Sequence, residues 1–402
     1  MKLLHVVGSM NPRAGGPCQG IRNLAGEMIK NGNLVEVVCL DDPGSEYLSA
    51  RSLRIHALGT GRGVWNYHPR LSPWLNQNVH RFDAVILNGL WQYPGYALLK
   101  ATRQRLAPAY FVFPHGMLDP WFQRTSERRL KALRNWFYWK FVEQRVIGNA
   151  AALFFTCPEE MRLARGTFRP YRPTRELSVG YGVARPPELN SAMVQAFASR
   201  CPEASDKPYW LYLSRIHPKK GVDLLLRAYA TVCRSRAHSP PPKLVVAGPG
   251  LETAYGRNMH HLASEICPPG TVCWPGMLAG DAKWGALYRC EASILPSHQE
   301  NFGISVVEAL ACGRPVLVSN QINIWREIET DGAAIVQPDS IEGTVRLLSD
   351  WLNLSPAART AMADKARPCF RRHFSIEVVA RQVQTALAST LHEQSPRRSH
   401  KR

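Results

Sequence analysis

Short apolar runs alternate with longer amphipathic stretches through the first half of the chain. Five of these runs predict buried strands, and they span Lys2–Val7, Val35–Leu40, Ala84–Asn88, Ala109–Pro114 and Ala151–Thr156. Helical periodicity lies between several of them, for example over Cys18–Lys30 and Arg128–Ile147. Because strands alternate with helices, this half predicts a parallel sheet covered by helices.

The pattern weakens in the middle of the chain and then resumes. Tyr181–Ser191 and Cys201–Pro208 are rich in proline, serine and charge, which indicates a linker near residues 185–207. A second series of predicted strands follows, at Tyr209–Ser214, Lys243–Gly248, Ala292–Ser297, Pro315–Ser319 and Ala333–Pro338. We therefore predict an α/β protein of two doubly wound domains, over residues 1–190 and 205–373. A helix over residues 374–393 and a disordered basic tail over residues 394–402 complete the prediction.

Composition narrows the class of protein. The 402 residues include 45% hydrophobic residues, which is enough for packed cores. A formal charge of +19 favours anionic partners, such as nucleic acid, acidic lipid or a phosphorylated substrate. The ten cysteines show no metal-ligand spacing and predict free thiols in a reducing cytosol. No apolar run is long enough to predict a transmembrane helix.

The segment SHQENFGISVVEALACGRPVLVSN, residues 297–320, predicts a strand, a loop and a short helix that ends at Gly313. Gly303 would let a ligand approach the backbone where the helix begins. The N–H groups of Ile304 and Ser305 would face that ligand, and the helix dipole favours an anion. Glu308, about one turn into the helix, could accept sugar hydroxyls beside a phosphate. Glu300, before the helix, would meet the group attached beyond the phosphate.

The segment LSRIHPKKG supplies cations directly after the first strand of the second half. Arg215 can bind a diphosphate through two hydrogen bonds, and Lys220 adds a compact positive charge. Lys219 is expected to point elsewhere. Either cation alone would be an ordinary surface charge, but together with the two glutamates they predict a diphosphate site.

An Arg-x4-Lys-Gly after a strand, followed by Glu-x7-Glu at a strand, loop and helix, resembles the donor site of retaining glycosyltransferases of family 4. The resemblance implies the GT-B fold, with two Rossmann-like domains facing each other across a cleft. It implies that a nucleoside diphosphate-sugar binds mainly to the second domain. Arg215 and Lys220 would meet the diphosphate, Glu308 the ribose and Glu300 the sugar hydroxyls. The other implied donor-binding residues there are Asn301, Phe302, Gly303, Ile304 and Ser305.

Two places in the first half fit the same family. The segment RAGGP resembles its glycine loop and implies donor contacts at Gly15 and Gly16. The segment PHGMLDPW resembles its His-Gly motif and implies that His115, with Glu300, acts at the reacting centre. The family's last helix crosses back to the first domain. The sugar would pass to an acceptor hydroxyl with retention, without a cofactor, and the missing Asp-x-Asp motif implies no metal.

Sequences of this kind generally build bacterial surface polysaccharides, which suggests a glycan or lipid-linked acceptor and a cytoplasmic enzyme at the inner face of the plasma membrane. Residues 124–148 combine aromatic residues with an excess of basic ones, which suits a helix lying on an anionic membrane. The same pattern would also suit a helix packed on the sheet. The basic residues are Arg124, Arg128, Arg129, Lys131, Arg134, Lys140 and Arg145.

Other functions remain open at this stage. A sugar-nucleotide epimerase of the same fold would need no acceptor, although the complete Glu-x7-Glu block argues against it. A dehydrogenase lacks its GxGxxG after the first strand, and a glycosidase would not explain Arg215, Lys220 and the helix N-terminus. Charge alone would allow a nucleic-acid-binding protein, but no motif of that class is visible, and we expect no nucleic-acid partner.

Overall fold

The computed structural model describes residues 1–12, 15–49, 53–104, 107–124 and 129–399, without the side chains of residues 122, 124, 129 and 394–399. Its contacts divide the chain into two compact units. The first unit comprises Met1–Gly182 and the terminal segment that begins at Ile376, and the second unit comprises Val183–Ser375. No helix in the described ranges is long and apolar enough to cross a membrane.

The first unit contains a seven-stranded parallel sheet. Its strands are β1 Lys2–Val7, β2 Leu34–Cys39, β3 Arg54–Ala57, β4 Ala84–Asn88, β5 Ala109–Phe113, β6 Ala152–Phe155 and β7 Glu176–Ser178. The spatial order is β3-β2-β1-β4-β5-β6-β7, so the winding direction reverses between β1 and β4. The carboxyl ends on either side of such a reversal are where doubly wound folds bind ligands.

Helices cover both faces of this sheet. They are α1 Gly16–Lys30, α2 Leu71–Asn78, α3 Tyr93–Ala101, α4 Trp121–Arg124, α5 Arg129–Tyr138, α6 Gln144–Asn149 and α7 Pro158–Ala164, with a π-helical turn, Trp139–Glu143, between α5 and α6. The terminal helix Ile376–Ser399 shares one hydrophobic core with α1. The alternating side chains of β1 divide between two cores, because Leu4 and Val6 face one side and Leu3 and Val7 the other.

The second unit contains a six-stranded parallel sheet of order β10-β9-β8-β11-β12-β13. Its strands are β8 Tyr209–Leu213, β9 Lys243–Ala247, β10 Val272–Gly276, β11 Ala292–Leu295, β12 Val316–Ser319 and β13 Ala334–Gln337. The helices are α8 Ser191–Arg200, α9 Pro202–Ser205, α10 Val222–Ser235, α11 Ala254–Ile266, α12 Gly280–Arg289, α13 Ile304–Ala311, α14 Trp325–Thr330, α15 Ile341–Asn353 and α16 Pro356–Cys369. Both units therefore have the predicted doubly wound architecture.

Each predicted strand is present, but three strands were missed. They are β3, β7 and β10, and each lies at the edge of its sheet. An edge strand is half exposed and does not need the continuous apolar run that marks a central parallel strand. β10 also contains Pro275 and Gly276, which are typical of loops.

The division of the chain differs from the predicted one. The first unit ends at Gly182, and the predicted linker contains helix α8, which packs against α12 of the second unit. The terminal helix extends to Ser399, beyond the predicted bound at residue 393. Apolar periodicity was the signal in the sequence, and it ends before the helical backbone does.

All ten cysteines are buried free thiols, as predicted. Three lie in the first unit, namely Cys18, Cys39 and Cys157. The second unit holds the remaining seven, namely Cys201, Cys233, Cys267, Cys273, Cys290, Cys312 and Cys369.

Candidate active site

Helix α13 begins at the carboxyl end of the second sheet, where the sequence predicted an anion site. Gly303 precedes the helix with a left-handed backbone, at φ 80° and ψ 63°. Its carbonyl accepts hydrogen bonds from the N–H groups of Val306 and Val307, at 2.9 and 3.1 Å. The N–H groups of Ile304 and Ser305 lie in the first turn, which has no intrahelical acceptors, so they are available to an anion.

The loop between β11 and α13 is held by the loop that follows β12. The Glu300 N–H donates to the Gln321 carbonyl at 2.9 Å, and the Asn323 N–H donates to the Glu300 carbonyl at 3.0 Å. The Asn323 side chain donates to Asn301 Oδ1 at 3.3 Å. The Ser319 hydroxyl donates to the carbonyl at the start of the loop. The backbone of Glu300 is therefore fixed on both sides.

Lys220 reaches this loop from a short 3-10 turn, Pro218–Lys220, and forms an ion pair with Glu300. Gly221 follows the turn at φ 67°, and a Cβ at that position would lie 2.0 Å from the Pro296 carbonyl oxygen. Only glycine allows this close approach. The His298 N–H also donates to the Lys219 carbonyl at 3.0 Å, so the turn and the loop form one structure.

The electrostatics of Lys220 depend on its burial. Its side chain is 8% exposed, whereas Arg215 lies at the surface. Burial and the charges of Lys219 and Arg215 lower the pKa of Lys220 to about 7. The Glu300 carboxylate favours the charged ammonium and opposes this shift. A second anion beside Lys220 would act in the same direction as Glu300.

Glu308 also has a lysine partner. Its Oε1 accepts a hydrogen bond from Lys283 Nζ of helix α12 at 2.7 Å, and both side chains are mostly buried. The same ammonium lies 3.9 Å from the centre of the Trp284 ring. The carboxylate is therefore held in place by a cation that sequence analysis missed, because the two residues belong to different helices.

His115 lies in the first unit, directly after β5. Its backbone is left-handed at φ 52°, which is rare for a residue with a side chain. The ring stacks on Phe113, with ring centres 4.3 Å apart and planes 6° apart. Its Nε2 lies 3.1 Å from Asn88 Oδ1, and burial lowers the pKa of His115 to about 3. The imidazole is therefore neutral at physiological pH.

The glycine loop of the first unit, like the start of α13, places a glycine of positive φ before a helix. Gly15 precedes helix α1 with φ 101°, and no side chain caps the helix. The Gly16 carbonyl accepts a hydrogen bond from the Tyr181 hydroxyl at 2.6 Å. Arg13, the first residue of the predicted segment, lies outside the described residues.

The structure thus brings most of the predicted donor residues together in the second unit, with Phe302 buried behind the loop, whereas His115, Gly15 and Gly16 belong to the first unit. Among the described residues, one group has the spacing that could hold a metal ion: the potential ligand atoms of Cys201, Glu203 and Cys273 lie within 4.8 Å of one another. None of the predicted site residues belongs to it. The two cysteines are far apart in sequence, so no spacing motif could reveal the cluster.

Two family models match this chain. The family described as "Glycosyl transferase 4-like domain" matches residues 15–182, and "Glycosyl transferases group 1" matches residues 196–368. Glycogen synthase from Mycobacterium tuberculosis is 30% identical over 353 residues, which is 86% of this chain and 74% of the relative. D-inositol 3-phosphate glycosyltransferase from Kineococcus radiotolerans is 32% identical over 169 residues, 40% of this chain and 38% of that relative.

Among solved structures, Anabaena Alr3699/HepE in complex with UDP and glucose has a TM-score of 0.74 at 17% identity, covering 97% of this chain and 100% of that one. The two parallel-sheet units therefore form a GT-B fold, which confirms the predicted fold class. The chain belongs to the group 1 glycosyltransferases of the family 4 type, and it is a glycosyltransferase.

Proposed function

We propose that the protein transfers a sugar from a nucleoside diphosphate-sugar to a hydroxyl of a glycan or lipid-linked acceptor, with retention of configuration. The observation that carries the proposal is the start of α13. There the N–H groups of Ile304 and Ser305 lie in one loop and helix with Glu300 and Glu308, each already paired with a lysine. A diphosphate and two sugars require this combination of N–H donors, cations and carboxylates.

In this mechanism the diphosphate accepts hydrogen bonds from the first turn of α13 and contacts Arg215 and Lys220. Lys220 then shares its charge between the phosphate and Glu300. This leaves carboxylate oxygens of Glu300 available to the hydroxyls of the transferred sugar. Asn301 and Gly303 contact the donor, and Phe302, between them in the loop, is buried.

Glu308 is assigned to the ribose. The Lys283 ammonium, 2.7 Å from Oε1, orients the carboxylate, so its other oxygen can accept ribose hydroxyls. As the glycosidic bond breaks, negative charge grows on the leaving diphosphate. Arg215, Lys220 and the α13 N–H groups stabilise that charge, and the proposal needs neither a metal nor a protein nucleophile. His115 and the Gly15–Gly16 loop are assigned to the reacting sugar and the donor.

A direct test combines a panel of UDP-, GDP-, ADP- and dTDP-sugars with glycan and polyprenyl-linked acceptors, and measures release of the nucleoside diphosphate. Proton NMR of the product determines the anomeric configuration. We expect acceptor-dependent release with one base and retention at the anomeric carbon. Inversion would contradict the mechanism. Formation of an epimer without an acceptor would favour the epimerase alternative.

An exposed apolar face of the first unit suggests where the acceptor is found. Leu130, Leu133, Phe137 and Phe141 are 85%, 56%, 49% and 60% exposed. Leu130, Leu133 and Phe137 follow one another in α5 at intervals of three and four, which places them on one face of that helix, and Phe141 follows in the π-helical turn. Single exposed apolar residues are ordinary, but a cluster of this kind marks an interaction surface.

The charges of the same segment favour an anionic membrane. Lys131 and Lys140 are exposed, and Arg134 lies 5.3 Å from the Trp65 ring centre. The segment contains two acidic residues, and one of them, Glu127, lies outside the described residues. Glu143 is buried, and burial raises its pKa to about 8, so it is mostly uncharged at pH 7. We propose that this face binds anionic lipid at the inner side of a bacterial plasma membrane, where a lipid-linked polysaccharide precursor would serve as acceptor. The side chains of Arg124, Arg128 and Arg129 lie outside the described residues.

Vesicle co-sedimentation tests the membrane proposal. Each basic residue near an anionic surface contributes about 1 kcal/mol, so replacing Lys131, Arg134 and Lys140 by Ser should weaken binding roughly 100-fold. Binding of the wild type should disappear at high salt. A matched control replaces three other exposed basic residues of the first unit, Lys30, Arg54 and Arg162, by Ser. If the wild type ignores acidic vesicles at low salt, a soluble acceptor becomes the better hypothesis.

A further inference from the structure

His5, Asn88 and His115 form a hydrogen-bonded chain across three neighbouring strands of the first unit. His5 lies in the middle of β1, Asn88 ends β4 and His115 follows β5. Asn88 Nδ2 lies 3.1 Å from His5 Nδ1, and Asn88 Oδ1 lies 3.1 Å from His115 Nε2. His5 and Asn88 are buried, and the three side chains line one small cavity of roughly 20 Å³.

The orientation of the Asn88 amide is fixed by a third partner. Its Nδ2 also lies 3.1 Å from the Ile86 carbonyl oxygen, which can only accept a hydrogen bond. The NH₂ group must therefore face Ile86 and His5, and Oδ1 must face His115. A flipped amide would place two oxygens against each other.

The tautomers of both histidines follow from that orientation. Because Oδ1 accepts, His115 must carry its proton on Nε2, which leaves Nδ1 as an acceptor. Because the amide donates to His5, His5 Nδ1 must be unprotonated and its proton must be on Nε2. His5 Nε2 is buried and has no hydrogen-bond partner among the residues that the structure describes.

Packing alone does not explain His5. A buried N–H without an acceptor costs about 1–3 kcal/mol, whereas an apolar residue in the middle of β1 would carry no such cost. Leu3 and Val7, which lie on the same face of β1 as His5, are buried and apolar, so apolar side chains suit this face. The histidine thus fits a role in the hydrogen-bonded chain better than a role in stability.

We infer that Asn88 and His5 are positioning residues, which hold His115 as the neutral Nε2–H tautomer and so present its Nδ1 as an acceptor for a hydroxyl of the transferred sugar. This inference rests on the proposed function, in which His115 contacts the reacting sugar. Phe113 holds the plane of the ring, and Asn88 determines which edge carries the proton. A neutral ring with a fixed acceptor can orient a hydroxyl without adding charge.

Long-range ¹H–¹⁵N NMR of protein with ¹⁵N-labelled histidine tests the tautomer directly, because the nitrogen shifts distinguish protonated from unprotonated ring nitrogens. The His115 signals are assigned by their loss in His115→Gln. We expect the Nε2–H tautomer at pH 7. An Nδ1–H tautomer or an imidazolium at pH 7 would overturn the inference, whether or not the wild type turns over any donor tested.

Variants then connect the tautomer to catalysis. Asn88→Leu should lower kcat about tenfold or more and mix the His115 tautomers, while the donor KM stays close to the wild-type value. Asn88→Asp should make His115 an imidazolium at pH 7, because a carboxylate replaces the amide. His5→Asn, which keeps an acceptor near the position of Nδ1, should recover part of the kcat that His5→Phe loses.

Asn33→Leu is the matched control, since Asn33 is another buried asparagine of the first unit, bonded to the Met28 carbonyl. A nucleoside diphosphate thermal shift reports that the second unit is intact in each variant. If Asn33→Leu and Asn88→Leu lower kcat equally, Asn88 is merely structural and the inference is wrong. If Asn88→Leu keeps the wild-type kcat and His115 spectrum, the inference is also wrong.

Discussion

The candidate residues of the two units differ in how they manage charge. In the second unit, Glu300 and Glu308 are each paired with a lysine, and Arg215 lies nearby at the surface. In the first unit, His115 and His5 are neutral, because burial lowers their pKa values to about 3 and about 4. A diphosphate requires cations and balanced carboxylates, whereas a sugar hydroxyl requires only a correctly oriented acceptor. In the proposed function, the charged residues of the second unit therefore bind the diphosphate, and the neutral His115 of the first unit orients a sugar hydroxyl.

The largest expected effect concerns charge in the second unit. Glu300→Gln should leave the fold intact and lower kcat about 10²–10³-fold, because the amide cannot replace the carboxylate that orients the sugar. Steady-state kinetics with the identified donor measures this loss. Glu265→Gln, at an exposed glutamate of α11, is the matched control and should be silent. Near-wild-type turnover in folded Glu300→Gln would end the assignment.

The second prediction concerns neutrality in the first unit. Between pH 6.5 and 4 the unfolded chain protonates His5 and the folded chain does not, so this residue destabilises the fold as pH falls. A shift of that size corresponds to about 3 kcal/mol. His5→Phe should therefore lose less stability than the wild type between these pH values, measured by urea unfolding with pH 7.5 as the reference. Equal losses would show that His5 is charged in the folded state.

The third prediction tests the cations of the second unit. A nucleoside diphosphate at about 100 times its Kd should stabilise the wild type by about 2.7 kcal/mol and raise its melting temperature. Arg215→Ala combined with Lys220→Ala should abolish that shift. The double variant Lys207→Ala and Arg234→Ala, at two exposed cations of the same unit, serves as control. A full shift without Arg215 and Lys220 would place the diphosphate elsewhere.

The smallest effect is expected at Lys283. Lys283→Gln should raise the Kd of the nucleoside diphosphate about tenfold, or about 1.4 kcal/mol, because Glu308 loses the ammonium that orients it. Calorimetric titration measures the change, and Lys207→Gln controls for loss of a positive charge. An unchanged Kd would mean that Glu308 binds ribose without help, or does not bind it.

Features that depend on neighbouring residues were predictable from the sequence. Continuous apolar runs predicted the central strands. Gly303 predicted the start of a helix, and α13 begins at Ile304. The polar loop and the glutamates followed from the same block. The local backbone of this strand, loop and helix depends on residues that are close in sequence, so the elements that carry Glu300 and Glu308 could be predicted without a structure.

Partners distant in sequence could not be predicted. Lys283 meets Glu308, and Asn88 meets both His5 and His115, only because strands and helices bring them together. The predicted helix over Arg128–Ile147 is likewise interrupted by the π-helical turn Trp139–Glu143, which the apolar periodicity did not reveal. Sequence analysis assigned roles to Glu308 and His115 alone, whereas the structure shows the neighbours, Lys283 and Asn88, that contact them.

The distribution of buried cysteines has a practical consequence for kinetics. A buried thiol reacts with a reagent only when the surrounding structure opens, so labelling rates report the frequency of opening. Cys39 and Cys157 of the first unit and Cys233 and Cys290 of the second unit are such reporters without any engineered label. The alkylation rate of each cysteine, measured by mass spectrometry, would therefore report how often its own unit opens. A donor that binds one unit should lower the alkylation rates of the cysteines in that unit.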